Sequence, residues 1–257
     1  MRFDYAIVRL PGPDLELGLT TSQEGPPALS RALQQHAAYC AALERCGLRV
    51  TALPADSRFP DGCFVEDTAI LTPRGAIATR PGAPSRQGEV ASVVEALAGF
   101  FEQVARIDAP GTVDGGDVCE ADGHYLIGLS ARTNAAGAVQ LAAFLADLGY
   151  SSDVVDIRSS RRLLHLKTGI AYLGDGRMIV TSDVPRGGPL APYELIEAPE
   201  TERYAANCLR VNDRVLVAAG YPVVRAAVED CGYEVLEFGM SEFRKVDGGL
   251  SCLSLRG

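Results

Sequence analysis

The chain has 257 residues, a formal net charge of −9, three His and seven Cys. That length fits one or two domains, and barrels or propellers use as much chain as one unit, so residues 1–257 are expected to form a single domain. A 47% hydrophobic and 22% charged composition is that of a soluble globular protein. The acidic balance excludes a nucleic-acid footprint, which needs a basic surface or stripe, and the adjacent Arg161 and Arg162 stand almost alone.

No window reaches the roughly 18 apolar residues of a membrane span, so no membrane partner is expected. The first nine positions carry Asp4 and two Arg, unlike a secretory signal. The seven Cys (Cys40, Cys46, Cys63, Cys119, Cys208, Cys231, Cys252) are scattered, which suits a reducing, cytoplasmic compartment. Neither Cys-x-x-Cys nor His-x-x-x-His occurs, so a structural zinc site is not expected.

In chain order, a helix from Leu29 to Cys46 places Leu29, Leu33, His36, Cys40 and Leu43 on one face. Gly47 closes it and a strand follows. Ala69–Thr72 and Ala76–Thr79 read as a hairpin across Pro73, Arg74 and Gly75. A helical stretch from about Gln87 to Phe101 precedes a strand at Val104–Ile107. Next come a strand at His124–Leu129, a helix closed by Gly149, and a strand at Met178–Thr181. The Pro-rich segment Pro185–Pro199 contains strand-like Glu194–Glu197 and leaves little room for a helix. Val215–Ala218 and a helix closed by Gly232 complete the series.

Glycine just past a helix supplies the left-handed cap, and the apolar run after it is a strand entering the core. Strands and helices in alternation make an α/β chain, and recurrence at roughly 45–60 residues suggests radial or stacked repeats. Neither Gly-x-Gly-x-x-Gly after a strand nor a phosphate-cradling Gly-x-x-x-x-Gly-Lys is present, so nucleotide binding has no support.

Four segments concentrate polar chemistry: Phe59-Pro-Asp-Gly-Cys-Phe-Val-Glu-Asp67, Gly111-Thr-Val-Asp-Gly-Gly-Asp117, Leu164-His-Leu-Lys-Thr168 and Lys245-Val-Asp-Gly-Gly-Leu-Ser-Cys252. Glycine-rich loops at strand ends are where rigid scaffolds present reactive groups. Cys252 is the strongest nucleophile candidate, because the Gly248-Gly249 pair before it permits close backbone approach. His165 lies in an alternating run that reads as a strand, its ring sharing a face with Leu163 and Lys167. A thiol, an imidazole and a carboxylate are the nucleophile, base and orienter of covalent catalysis. Spacing alone does not choose among Asp67, Asp114 and Asp117 as the orienting acid.

Together with Arg80-Pro-Gly-Ala-Pro-Ser-Arg86 and Ser130-Ala-Arg-Thr-Asn134, these segments resemble the dimethylarginine dimethylaminohydrolase family of the guanidine-modifying pentein superfamily. The likeness runs nearly end to end, from Leu19-Thr-Thr-Ser to the terminal Asp-Gly-Gly-Leu-Ser-Cys. It implies a five-bladed, pseudo-symmetric α/β propeller of ββαβ units whose strand-end loops meet at the axis. It also implies that Cys252 is the nucleophile, His165 the general acid and base, and Asp114 the acid orienting His165, shorter here than the Glu of bacterial relatives. Asp67, with Glu66 beside it, resembles the carboxylate that grips a guanidinium. Arg86 and Arg132 resemble the pair that binds an α-carboxylate, and Asp61 with the backbone of Leu19 and Val246 the group that holds an α-amine. The implied partner is a small methylated arginine, with no metal or organic cofactor and a homodimeric arrangement. Arginine deiminases of the same superfamily carry an inserted helical domain for which this chain has no room, and a non-catalytic propeller would not retain Cys252, His165 and an acid together. Acids near Cys252 are expected to keep its thiol neutral until a cation binds.

Overall fold

The structure, a computed structural model, describes residues 2–257. Strand β1 (Tyr5–Arg9) is followed by helix α1 (Leu29–Arg45) and by β2 (Arg49–Leu53), parallel to β1 with Ile7 opposite Thr51. Strands β3 (Ala69–Thr72) and β4 (Gly75–Ala78) form a hairpin, and after α2 (Val90–Leu97) the short β5 (Val104–Arg106) lies parallel to β4. The pattern repeats in β6 (Val118–Ala121), β7 (His124–Leu129), α3 (Ala135–Asp147) and β8 (Ser151–Asp156). In the next unit, β9 (Ile170–Gly174), β10 (Arg177–Val180) and β11 (Glu194–Glu197), a single 3-10 turn at Gly188–Leu190 stands where the others have a helix. The expected shortage of room there is borne out. Strands β12 (Leu209–Val211) and β13 (Arg214–Ala218), helix α4 (Pro222–Asp230) and β14 (Glu234–Phe238) form the fifth unit, before the short α5 (Ser241–Arg244).

The terminal strand β15 (Leu255–Arg256) returns antiparallel to β1, with Leu255 opposite Ile7. It supplies the first unit with the antiparallel strand the other four obtain from their hairpins. Five three-stranded sheets result, each with an antiparallel and a parallel neighbour on its central strand. This is the expected five-bladed α/β propeller. Strands β15 and β3, β6 and β9, and β9 and β12 pack against one another, so the antiparallel edge strands line the axis. Local chemistry fixes the turns: Asp122-Gly123 and Asp175-Gly176 both take positive φ, as two-residue hairpin turns require. The glycines expected to close helices, Gly47, Gly149 and Gly232, have φ of 90°, 80° and 90°.

Helix α1 occurs where expected, but its buried face is rotated. Ala32, Gln35, His36, Tyr39 and Leu43 are buried, whereas Leu33 is 38% exposed. The face is set by what it meets: Tyr39 Oη shares a 2.5 Å hydrogen bond with Ser254 Oγ, and Gln35 accepts from the Glu242 backbone N–H at 3.0 Å. Polar partners on neighbouring elements, invisible in the helix's own periodicity, draw these residues inward. Leu255 is 4% exposed and packs with Ile7, Val65 and Leu97, so Leu255→Ala should cost about 2–5 kcal/mol in urea denaturation. Leu33→Ala should stay within about 0.5 kcal/mol of wild type, since no core contact is removed.

Candidate active site

Each axial strand is preceded by a tight 3-10 turn: Val65–Thr68 before β3, Gly115–Asp117 before β6, Leu166–Thr168 before β9, Glu200–Ala206 before β12 and Ser251–Leu253 before β15. The five turns converge at one end of the axis. Asp67 and Cys252 lie within theirs, and Asp114 and His165 cap the starts of theirs. His165 is therefore not in a strand, as its alternating neighbours suggested. Leu166 is pinned by its backbone N–H, which donates to Asp117 Oδ1 at 2.9 Å, and the chain turns there.

A single pocket is lined by Leu19, Asp61, Phe64, Asp67, Arg86, Asp114, Arg132, Leu164, His165, Val246, Asp247, Gly248 and Cys252. Of the residues that the family resemblance implies for the site, Glu66 is missing. Its carboxylate points into a separate, larger cavity running between the axial strands, where Oε1 accepts from Lys167 Nζ at 2.6 Å and Oε2 from Ser251 Oγ at 2.7 Å. In the extended or 3-10 backbone of this turn, adjacent side chains point different ways, so Glu66 and Asp67 cannot share one cleft. Phe64, Leu164, Asp247 and Gly248 stand in the segments quoted from the sequence but were given no binding role, since sequence alone gave no sign of which residues of a segment would turn inward.

The three acids differ in what they contact. His165 Nε2 lies 2.9 Å from Asp114 Oδ2, while Asp114 Oδ1 accepts from the Gly82 backbone N–H at 2.7 Å. The shorter Asp thus spans the gap to the imidazole. Asp117 instead accepts from Ser130 Oγ at 2.6 Å and from Leu166 N–H, so it braces the His165 turn. Asp67 accepts from Gly116 N–H at 2.8 Å and from Arg86 Nη1 at 2.5 Å.

Arg86 is buried between carboxylates. Its Nε and Nη2 donate to Glu89 and its Nη2 also to the Phe64 carbonyl at 3.0 Å, leaving one Nη1 hydrogen uncommitted. Of the pair that resembles α-carboxylate binders, Arg86 thus has most of its guanidinium engaged by protein acceptors. Among the described residues Arg132 has no hydrogen bond or ion pair from its guanidinium. At the same end, Asp61 accepts from the Leu19 backbone N–H at 3.0 Å.

Burial alone would lower the His165 pKa, but Asp67, the hydrogen bond to Asp114 and the charge of Asp117 raise it to about 9. Burial also acts to raise Asp67, and the positive charges of His165 and Arg86 overcome it and hold the carboxyl at about 2. For Cys252, burial first, then Glu66 and Asp67, push the thiol up to about 12 and outweigh the lowering by the Gly249 N–H and the charge of Lys167. The neutral resting thiol expected from the acidic surroundings follows. Asp67, Asp114 and His165 each bring a ligand atom within 4.8 Å of the others. Those atoms already serve Arg86, Gly116, Gly82 and one another, and a protonated His165 competes with any cation there.

The fold and site define the class: a guanidine-modifying pentein hydrolase, with its cysteine, histidine and acid at the end of the propeller axis. A sequence profile of the family described as arginine deiminase matches residues 59–191. N(G),N(G)-dimethylarginine dimethylaminohydrolase of Pseudomonas aeruginosa is 47% identical over 255 residues, covering 99% of each chain. The enzyme of the same name from Streptomyces coelicolor is 37% identical, covering 98% of this chain and 96% of its own. A crystal structure of a Cys-to-Ser variant of the Pseudomonas enzyme complexed with citrulline superposes with a TM-score of 0.96 at 46% identity over 100% of both chains. The N-terminal domain of a cyanobacterial arginine dihydrolase shares the fold, with a TM-score of 0.89 at 18% identity, over 100% of this chain and 97% of that one. The chain belongs to the dimethylarginine dimethylaminohydrolase family.

Two predictions follow from the geometry. A Cβ on Gly116 would sit 2.7 Å from His165 Nδ1 and 3.0 Å from Asp67 Oδ1, so Gly116→Ala should displace both and lower kcat by at least about tenfold in a steady-state assay. Because the folded His165 pKa of about 9 exceeds the unfolded value near 6.5, its contribution to stability is complete below pH 6.5 and lost as pH rises through 9. Thermal melts should therefore show wild type losing more stability between pH 6.5 and 9 than His165→Gly.

Proposed function

We propose that this protein hydrolyses N(omega)-methylated L-arginine, asymmetric dimethylarginine or monomethylarginine, to L-citrulline and dimethylamine or methylamine. The carrying observation is the single pocket that joins Cys252, the His165–Asp114 pair and Asp67 to an unpaired Arg132 and to Asp61. That is one set of groups for a guanidinium and one for the amino-acid end of the same molecule.

In this reading Asp67 holds the guanidinium N–H groups and fixes the carbon in line with sulfur; orientation of this kind supplies up to roughly 7–11 kcal/mol. The Cys252 thiolate adds to the guanidinium carbon and forms a tetrahedral adduct. His165, protonated and held by Asp114, gives its proton to the departing amine, leaving a planar S-alkylthiouronium. Neutral His165 then takes one proton from water as the oxygen adds, and on collapse the hydroxyl proton passes to the departing sulfur, so that citrulline is released and Cys252 returns as the neutral thiol beside protonated His165. Arg132 reads the α-carboxylate, supported by the uncommitted Nη1 hydrogen of Arg86, while Asp61 and the backbone of Leu19 and Val246 take the α-amine. A cytoplasmic location is supported by seven free thiols, and a homodimer is the assembly the family resemblance suggests.

Incubation with a panel of N-substituted arginines, scoring citrulline and the released amine together, tests the substrate class. Turnover of free arginine with release of ammonia, and none of the methylated compounds, would replace this reading with an arginine deiminase. Cys252→Ser should abolish turnover while calorimetry still detects substrate binding, because an alcohol is almost un-ionised at pH 7. One tenth of wild-type turnover in that variant is incompatible with the covalent route. His165→Gly should stall after sulfur has reacted, giving an adduct on Cys252 visible by mass spectrometry with a substrate carrying a good leaving group. Arg132→Lys keeps the charge but loses the planar fork, so its penalty on kcat/KM should shrink for guanidines lacking the α-carboxylate. An equal penalty on both substrates would remove Arg132 from carboxylate recognition.

A further inference from the structure

Four of the five turns at the axis end carry a residue with a role in the reaction proposed above: Asp67, Asp114, His165 and Cys252. The fifth turn, between the His165 and Cys252 turns in the ring, ends at Asn207, which is 7% exposed. Its amide contacts both neighbours. Nδ2 donates to the Lys167 carbonyl at 2.7 Å, two residues beyond His165, and to Ser251 Oγ at 3.0 Å. Oδ1 accepts from the Ser251 backbone N–H at 3.0 Å, immediately before Cys252. On the same chain of bonds, Ser251 Oγ donates to Glu66 Oε2 and Lys167 Nζ to Glu66 Oε1, one residue before Asp67. The fit is close, since a Cβ on Gly249 would lie 2.4 Å from Asn207 Oδ1.

Resting on the functional reading above, we infer that Asn207 is a positioning residue that sets the nucleophile's turn against the acid and base's turn across the ring. It lines the axial cavity and not the reaction pocket, so it has no contact through which to bind substrate. A group that only completes the hydrogen bonds of a buried turn would contribute to stability and leave the folded enzyme's rate intact. One that fixes the separation of sulfur and imidazole acts on kcat, since a misplacement of about 1 Å costs on the order of 10²-fold. Binding should be spared, because Asp61 and Asp67 are held by other contacts and Arg132 has no bond to the Asn207 network.

The test compares wild type, Asn207→Ala and Asn207→Asp well below each protein's melting temperature. The second variant keeps the size and the acceptor for Ser251 N–H but loses both donated bonds, and it serves if the first does not fold. Expected is a fall in kcat of about 10²-fold for Ala and at least tenfold for Asp, with KM for dimethylarginine within threefold. Alkylation of Cys252 by 2-chloroacetamidine, an amidinium that forms a C–S bond and loses chloride, should slow at least tenfold in the same variants. Retention of kcat within threefold by a folded variant, or a rise in KM that matches the loss in kcat, overturns the assignment. Wild-type protein that is alkylated but inert towards methylated arginines would sink the substrate reading alone, and the alkylation rates of the variants would still decide the role of Asn207.

Discussion

Buried charge that must be neutralised without water organises one end of this propeller. Asp61, Asp67, Glu89, Asp114 and Asp117 are all less than 7% exposed, and Arg86 and His165 are the buried cations among them. An isolated carboxylate in such a place would take up a proton or force the site open, so each must receive hydrogen bonds or a counter-charge. The protein meets this with backbone as much as with side chains: the N–H groups of Leu19, Gly82, Gly116 and Leu166 all donate to these acids. Backbone can approach that closely only where side chains are absent or tightly turned. The Asp-Gly-Gly-Asp segment is the clearest case, since a Cβ on Gly115 would lie 2.0 Å from the Glu66 carbonyl oxygen.

The same constraint separates the two cavities on the axis. Glu66 is pulled away from the pocket by Lys167, Ser251 and Arg256, which place a paired, largely neutral layer beneath the reacting groups. The acids facing the pocket are thereby left in excess over its fixed cations. An apolar or anionic ligand would find no compensation there. A guanidinium replaces the missing positive charge and can share the carboxylate oxygens of Asp67, each of which retains lone-pair capacity beyond its present bond.

The repeated unit was legible in the sequence because its punctuation is local. Helix-closing glycines are chosen by φ values that few other residues tolerate, and Gly47, Gly149 and Gly232 stand where that logic puts them. Ring closure was less visible, because the pairing of β15 with β1 joins the two ends of the chain and leaves no local mark. At the site, glycine-rich segments identified the right turns but not the direction of each side chain. Asp114 and Asp117 are equivalent in composition, and only the distance from His165 separates their roles. Arg86 and Arg132 both resemble carboxylate-binding cations, yet one is enclosed by Asp67 and Glu89 and the other is not. Asn207 carried no signal at all, since a single amide at the end of a turn becomes informative only when its two neighbours in the ring are known.

Proton accounting connects these electrostatics to the chemistry. With the thiol near 12 and the imidazole near 9, the resting site at neutral pH holds both protons. In the proposed reaction His165 is then already the acid that the departing amine needs, so the group that must change state is Cys252. A bound guanidinium places positive charge against the sulfur and lowers the thiol pKa, while the acids that raised it are engaged by the new cation. One positive charge enters and one proton leaves, which keeps the buried charge of the pocket nearly constant through binding. On that proposal the attacking thiolate is formed only when its target is in place. A neutral molecule of the same shape would bring no charge to drive that ionisation, and a buried thiol at rest is a poor nucleophile towards other electrophiles. The excess of acids that makes the empty site costly is thus the feature that couples activation of Cys252 to the charge of its substrate.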